Sequence, residues 1–502
     1  MTRRVTFLRT VAPAAALAVW LAGCSGLGHS DPLNRPIAGN AEQAFAAGRM
    51  HKDPTEHEDV LVGLAFSGGG TRAAAFSFGV LSEIDQTRVR SRTGTRSLLD
   101  RIGFVSGVSG GSVLTAYYGL KKRAALADFR ERFLIRNAEE GLSTSVDPVN
   151  LVRAFGSGGV NDARQLSKWL NDNLFDGATF ADFRNTPGPR VWINASDIYN
   201  RTPFVFGEAA FIALCSDLAK YPIADAVAAS AAVPIVFTPV VIKAYPSQCV
   251  DKPPQWMERA RHNPNAPPML RAFAEALYSY HDGTAKYVKL LDGGLVDNFG
   301  LSGFTIARLS ASTPHEPLSP EQAVRLKRSI VILVDAGRAP SGDWVQTVDG
   351  PNGTELVMAA ADTAVQASVR SSFTAFERVM SDWQRELVRW RCGLSAEQRR
   401  RYQAPPVWNC RDVRFYVSRV SFDQLGPQRA KVLNAIDTRL KLPTAEVDTL
   451  IAAGHDALLV NPIFQDFLSS LGARPRPRMP PKPETTPVAR APAATSGTLA
   501  AR

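Results

Sequence analysis

Ile102-Gly103-Phe104-Val105-Ser106-Gly107-Val108-Ser109-Gly110-Gly111-Ser112-Val113-Leu114-Thr115-Ala116-Tyr117-Tyr118 changes character at its centre. Ile102–Val105 reads as a short buried strand, and the apolar run from Val113 to Leu120 as the start of a helix. Between them, Gly107-Val108-Ser109-Gly110-Gly111 fits G-x-S-x-G. Its small flanking residues let a strand turn sharply into a helix and leave the central serine on a strained, accessible corner. Ser109 is therefore the candidate nucleophile. Ser106 and Ser112 flank it but do not occupy the centre of the pattern.

Working outward, a second strand-to-helix junction lies upstream. Val60–Phe66 is a β-type run, Ser67-Gly68-Gly69-Gly70-Thr71-Arg72 follows, and a helix is predicted from Thr71 through Ala73, Ala74, Ala75, Phe76, Val80 and Leu81. Three glycines at a helix N-terminus turn backbone N–H groups toward one point, where orphan donors and the macrodipole favour negative charge. The loop lacks the spacing of a P-loop or a dinucleotide fold, so an oxyanion suits it better than a phosphate. Gly69 and Gly70 are the expected donors, with Gly68 and the amide of Gly110 beside them. Arg72 is expected to support the loop. Downstream, Lys286–Leu291 reads as a strand running into Asp292-Gly293-Gly294. Asp292 is the candidate base. A carboxylate with an ordinary pKa of about 3.9 is a poor base in water, so this role requires a dry site.

These blocks, together with Ala229-Ser230 and Pro234 as A-S-x-x-x-P, resemble the patatin-like phospholipases, with kinship to the cytosolic phospholipase A2 catalytic domain. G-G-G-x-[RK] falls on Gly68 to Arg72 and D-G-[GA] on Asp292 to Gly294. The resemblance implies an α/β fold, a three-layer α/β/α sandwich with a mainly parallel central sheet. It also implies a Ser109–Asp292 dyad without histidine, phospholipase A-type hydrolysis of phospholipid or other acyl-ester lipids through an acyl-serine, and no metal or cofactor. Two other readings stand beside it. One is an α/β-hydrolase of the Ser…Asp…His order using His455; the other is a non-catalytic envelope lipoprotein that keeps the fold.

The expected organisation is a leader over 1–23, a tether over 24–59, a catalytic domain over 60–340, an extension packed on it over 341–472 and a disordered Pro/Ala/Arg-rich tail over 473–502. Arg3, Arg4 and an apolar stretch from Val11 to Ala22 make a signal peptide. Leu21-Ala22-Gly23-Cys24 resembles the bacterial lipobox, which implies lipidation of Cys24 and a place in the cell envelope, and Ser25 points to the outer membrane. Of the formal charge of +11, the leader carries +3 and the tail +5, so residues 24–472 carry only +3, with no nucleic-acid footprint. Cys215, Cys249, Cys392 and Cys410 remain; three pairings are open, and Cys215–Cys249 with Cys392–Cys410 closes the shorter loops. No C-x-x-C spacing suggests zinc. Residues 246–285 interrupt the alternating pattern and read as a surface loop, or as a lid or pocket rim. Phe373, Phe376, Met380, Trp383, Leu387 and Trp390 recur at helical spacing and favour a core face over a membrane-lying one.

Overall fold

The computed structural model describes residues 31–38, 58–91, 94–143, 150, 158–184, 187–249, 252–339 and 342–473. The signal peptide, Cys24, most of the tether and all of the tail beyond Ala473 lie outside the described residues.

The frame is one sheet. It comprises β1 (Val60–Phe66), β2 (Ile102–Val108), β3 (Arg190–Asp197), β4 (Thr202–Phe206), β5 (Val240–Lys243), β6 (Tyr287–Asp292), β7 (Arg328–Asp335) and β8 (Arg414–Ser421). The order across the sheet is β8-β7-β1-β2-β3-β6-β5, with β4 also paired to β3. The first five of these are mutually parallel, whereas β6, β5 and β4 bring antiparallel pairings at one side. Central strands are apolar on both faces because both faces are covered. Val62, Leu64 and Phe66 of β1, with Ile330, Ile332 and Val334 of β7, enter one core; Leu61, Ala65, Val331 and Leu333 enter the other.

The first core is closed by α1 (Gly70–Gln86), α2 (Gly110–Lys121) and α3 (Ile223–Ser230), by α4 (Gln255–His262) and α5 (Pro268–His281), and by α8 (Thr444–Val460) and α9 (Pro462–Ser470). The second is closed by α6 (Ser302–Leu309) and the 40-residue α7 (Gly353–Cys392). This is a three-layer α/β/α sandwich. The aromatic stripe of α7 is core: Phe376, Met380, Trp383 and Leu387 are all at most 1 % exposed. Asn352 starts that helix with a capping box, its side chain accepting from the Glu355 N–H at 3.0 Å while the Glu355 carboxylate accepts from the Asn352 N–H at 2.9 Å.

Two expectations change. The 246–285 stretch is neither a plain loop nor an open lid: α4 and α5 bury Met257, Phe273, Leu277 and Tyr280 in the core. Its apolar residues recur every three or four positions, a helical signal masked by the prolines that begin α5. The described part of the tether, residues 31–38, is pinned to the fold at Asn34 and Ile37 while its other residues stay partly or wholly exposed. Asn34 is buried, donates to Ser216 Oγ and Lys243 O, and accepts from the Lys243 N–H, while Pro36 bridges Ser216.

Cysteines pair as Cys215–Cys249 and Cys392–Cys410. The second ties the last residue of α7 to the segment before β8 across a separation of 18 residues. Closing a loop of that length restricts the unfolded chain by about 3 kcal/mol. The double variant Cys392→Ala/Cys410→Ala should therefore lose about that much stability in urea denaturation. An unchanged midpoint would show that the bond contributes nothing to the fold.

Candidate active site

β2 and β6 reach β3 from opposite directions. β2 runs parallel to β3 and ends with Val108 opposite Asn194; β6 runs antiparallel and ends with Asp292 opposite Ala195. The residue that follows β2 is Ser109, so the candidate nucleophile and the candidate base meet where two strands end beside consecutive residues of a third.

Ser109 has φ 51° and ψ −123°, in a region unfavourable for a side-chain-bearing residue, and α2 begins at the next position. Three hydrogen bonds hold the corner. The Ser109 N–H donates to Ser230 Oγ at 2.9 Å, and the Ser109 carbonyl accepts from Ser112 Oγ at 2.6 Å and from the Ser112 N–H at 2.9 Å. Ser230 Oγ in turn donates to the Asn194 carbonyl at 2.5 Å. The glycines after the serine answer to close backbone approach: a Cβ on Gly110 would lie 1.9 Å from the Gly70 carbonyl oxygen, and one on Gly111 2.4 Å from that of Phe66.

Asp292 is only 9 % exposed, and burial raises its carboxyl to about pH 6. The Gly294 N–H, which donates to Asp292 Oδ1 at 2.8 Å, and the facing Ser109 hydroxyl both oppose that rise by favouring the ionised form. The backbone around Asp292 is fastened to the end of α3 and the residues just after it: the Asp292 N–H donates to Ala232 O at 2.8 Å and the Gly293 N–H to Ser230 O at 3.1 Å. Ser230 thus touches both halves of the site, through its side chain on the Ser109 side and its carbonyl on the Asp292 side. The sequence exposed it as part of a block without indicating this role.

The glycine loop differs in one respect from expectation. The Gly68 N–H donates to the Asn298 carbonyl and to Asn298 Oδ1, both at 3.2 Å, so Gly68 is not a free donor. The N–H groups of Gly69, Gly70 and Gly110 have no acceptor among the described residues. Gly69 and Gly70 have φ of 136° and 60°, which glycine alone adopts readily. A Cβ on Gly70 would also meet the Arg439 carbonyl at 2.5 Å, so an alanine there disturbs the fold as well as the donor.

Arg72 is buried and ties the loop to the C-terminal extension, with Nη1 donating to Ile436 O at 3.0 Å. Burial is the main cause that lowers its pKa to about 10, Arg338 adding to the effect and Asp335 opposing it. The Thr71 N–H donates to Arg439 O at 2.8 Å, and Arg439 is itself held by Glu139. Sequence patterns gave no sign that residues 436–439 contribute to the site, because the contacts are made by their backbone carbonyls.

His455 does not join this group. It lies on α8 with its Nε2 2.5 Å from Glu83 Oε2, beside Asp456, and these partners raise its pKa to about 9. Glu83 is thirteen residues along α1 from Gly70, about 20 Å at the helical rise. An imidazolium so placed cannot serve Ser109 as a base, which removes the geometric basis of the Ser-His-Asp reading. Cys215, Cys249 and His281 cluster closely enough for a metal, but the two sulfurs are bonded to one another.

Residues 64–305 match the family model described as patatin-like phospholipase. Among solved structures the chain is similar to human GIVD cytosolic phospholipase A2, at a TM-score of 0.41 and 12 % identity, over 88 % of this chain and 68 % of that one. No curated protein matches. The matched residues contain the glycine loop, Ser109, Ser230 and Asp292, so it is the part of the chain that carries the candidate site that is similar to the patatin-like phospholipases.

Proposed function

We propose that the protein hydrolyses acyl-ester lipids, of phospholipase A type, through an acyl-Ser109 intermediate with Asp292 as the base. The observation that carries this reading is the meeting of the β2 and β6 ends beside Asn194 and Ala195. Asp292 takes the hydroxyl proton as Ser109 Oγ bonds to the ester carbonyl carbon. The N–H groups of Gly69, Gly70 and Gly110 receive the developing oxyanion. Collapse breaks the bond to the leaving alkoxide, which accepts the proton from Asp292. Water then attacks the acyl-serine, delivers its proton to Asp292, and releases the carboxylic acid as the Ser109 hydroxyl re-forms.

A fluorophosphonate should label Ser109 in the parent protein and not in Ser109→Ala. Asp292→Asn removes the charge and should lower the labelling rate at least a hundredfold. His455→Ala should stay within about threefold of the parent, despite a lower Tm from loss of the Glu83 pair. Loss of labelling in His455→Ala with retention in Asp292→Asn would reverse the assignment. With the Asp292 carboxyl at about 6, kcat/KM on a soluble ester should rise through pH 6 and level off above it.

The same shift fixes the sign of a stability effect. A carboxyl raised from about 3.9 to about 6 by burial binds its proton more tightly when folded, so parent stability falls as pH rises through that window. Asp292→Asn carries no such cost. Its Tm should exceed the parent's by at least roughly 2 °C at pH 8, with the gap closing toward pH 4. A lower Tm at pH 8 would show that the carboxylate is needed for folding rather than for chemistry.

We further propose attachment to the envelope membrane through lipidated Cys24, on the strength of Leu21-Ala22-Gly23-Cys24. Cys24→Ala should move the protein from the detergent phase to the aqueous phase on partitioning. Undiminished retention of that variant would end the lipoprotein reading.

A further inference from the structure

β4 pairs with β3 only from Ile193 onward, and β6 only from Ala195. Arg190, Val191 and Trp192 therefore leave one side of the sheet open at the end opposite Ser109. A cavity of about 540 Å³ occupies that opening, within the range of small-molecule sites. Its walls are largely aromatic. Phe104 packs on Trp192 and Phe304 at centroid distances of 5.4 and 5.2 Å, Trp256 stacks on Phe273, and Trp383 closes the side toward α7. Its charged lining is Arg184, Arg190 and Glu208. Neither arginine has an ion pair or a side-chain hydrogen bond among the described residues.

The cavity is separate from the catalytic group. None of Gly68, Gly69, Gly70, Ser109 or Asp292 lines it. Phe104 stands five residues before Ser109 on β2, about 16 Å away at the strand rise. A buried polar layer fills the interval: Asn194 Nδ2 donates to Ser106 Oγ and to the Gly107 carbonyl, both at 2.9 Å, and Ser106 Oγ donates to the Gly300 carbonyl at 2.6 Å. An acyl chain held on Ser109 would have to break these bonds to reach the aromatic chamber.

We propose that this cavity is a second lipid site, which binds a long-chain carboxylate with its chain among the rings and its head on Arg184 and Arg190. Apolar walls favour a hydrocarbon chain, each buried methylene strengthening binding by about fourfold. Two guanidiniums against one carboxylate, Glu208, in the lining favour an anion, and the fork of each matches a carboxylate in two-point contact. The site does not require turnover at Ser109, so its failure and the failure of the hydrolase reading are separable.

The test uses the full-length Ser109→Ala protein, so that nothing is hydrolysed, with quenching of tryptophan fluorescence and calorimetry as readouts below the micellar range. Laurate should bind saturably, one per chain, and octanoate far more weakly. Dodecanol and dodecyl phosphate carry the same chain with a neutral head and with a phosphate head. Dodecanol should bind at least tenfold more weakly than laurate, and the two should become equal in Arg184→Gln/Arg190→Gln. Ala307→Phe, which fills space in the lining, should weaken laurate at least tenfold. In the Ser109-containing background it should leave fluorophosphonate labelling unchanged. No saturable binding, laurate affinity indifferent to both sets of substitutions, or equal binding of dodecanol would overturn the proposal. Tighter binding of dodecyl phosphate would overturn the carboxylate and assign the arginines to a phosphate head.

Discussion

Ser109 sits at a backbone geometry that costs on the order of 1–3 kcal/mol, and the rest of the site is arranged around holding it there. Three hydrogen bonds to its amide and carbonyl, each worth about 1 kcal/mol net, are of the right size to offset that cost. Two involve Ser112, on the same helix, and one comes from Ser230, far off in sequence. Ser230 is positioned by Asn194, whose own side chain fixes Ser106 and Gly107 behind the corner. The strain is thus borne by β3 and the end of α3, the same elements that bring Asp292 into place. A displacement of β3 would move Ser109 and Asp292 together.

The C-terminal extension is part of this machinery. Its strand β8 completes the parallel side of the sheet along the whole of β7. Arg419 on β8 donates to Asp335 at the end of β7 at 2.9 and 2.5 Å, beside the buried Arg72. The carbonyls of Ile436 and Arg439 fasten the first turn of α1, which starts in the glycine loop. Behind them α8 packs against α1 so closely that a Cβ on Gly79 would meet the Ile451 carbonyl at 2.0 Å, and one on Gly454 the Phe76 carbonyl at 2.0 Å. The Glu83–His455 pair locks the far end of the same helix contact. His455 thus belongs to the packing of α8 on α1, thirteen residues along that helix from the glycine loop.

What the sequence revealed was what short-range sterics demand. Gly110 and Gly111 lie against backbone from another segment, and no other residue fits, so the requirement is written locally and can be read locally. The strands of the two buried cores are also legible, because a strand covered on both faces must be apolar throughout. Backbone hydrogen bonds to distant segments leave no such trace. Nothing local marks the Gly68 amide as taken by Asn298 rather than open to an oxyanion, and Arg439 contributes a carbonyl that any residue type would supply. Ser230 falls between these cases: its hydroxyl is chemically specific, and its place in a block was visible, but its two partners are 121 and 36 positions away. The helices α4 and α5 were hidden by composition, since their prolines read as a loop while their buried faces keep a helical period.

The carboxyl's burial also sets its proton affinity, the property on which the proposed role of Asp292 as base rests. Raising Asp292 to about 6 makes it about a hundredfold stronger as a proton acceptor than an exposed aspartate, yet leaves it roughly nine-tenths ionised at pH 7. Further desolvation would neutralise it, and further hydrogen bonding would return it to an ordinary, weak base. The single backbone donor from Gly294 and the Ser109 hydroxyl supply only a partial correction to burial. Gly294 is constrained accordingly: a Cβ there would lie 2.8 Å from Asn298 Oδ1 and 3.0 Å from Asp292 Oδ1. Gly294, two residues after the aspartate, therefore keeps a backbone donor within reach of the carboxylate, and with it the proton affinity on which the proposed mechanism draws.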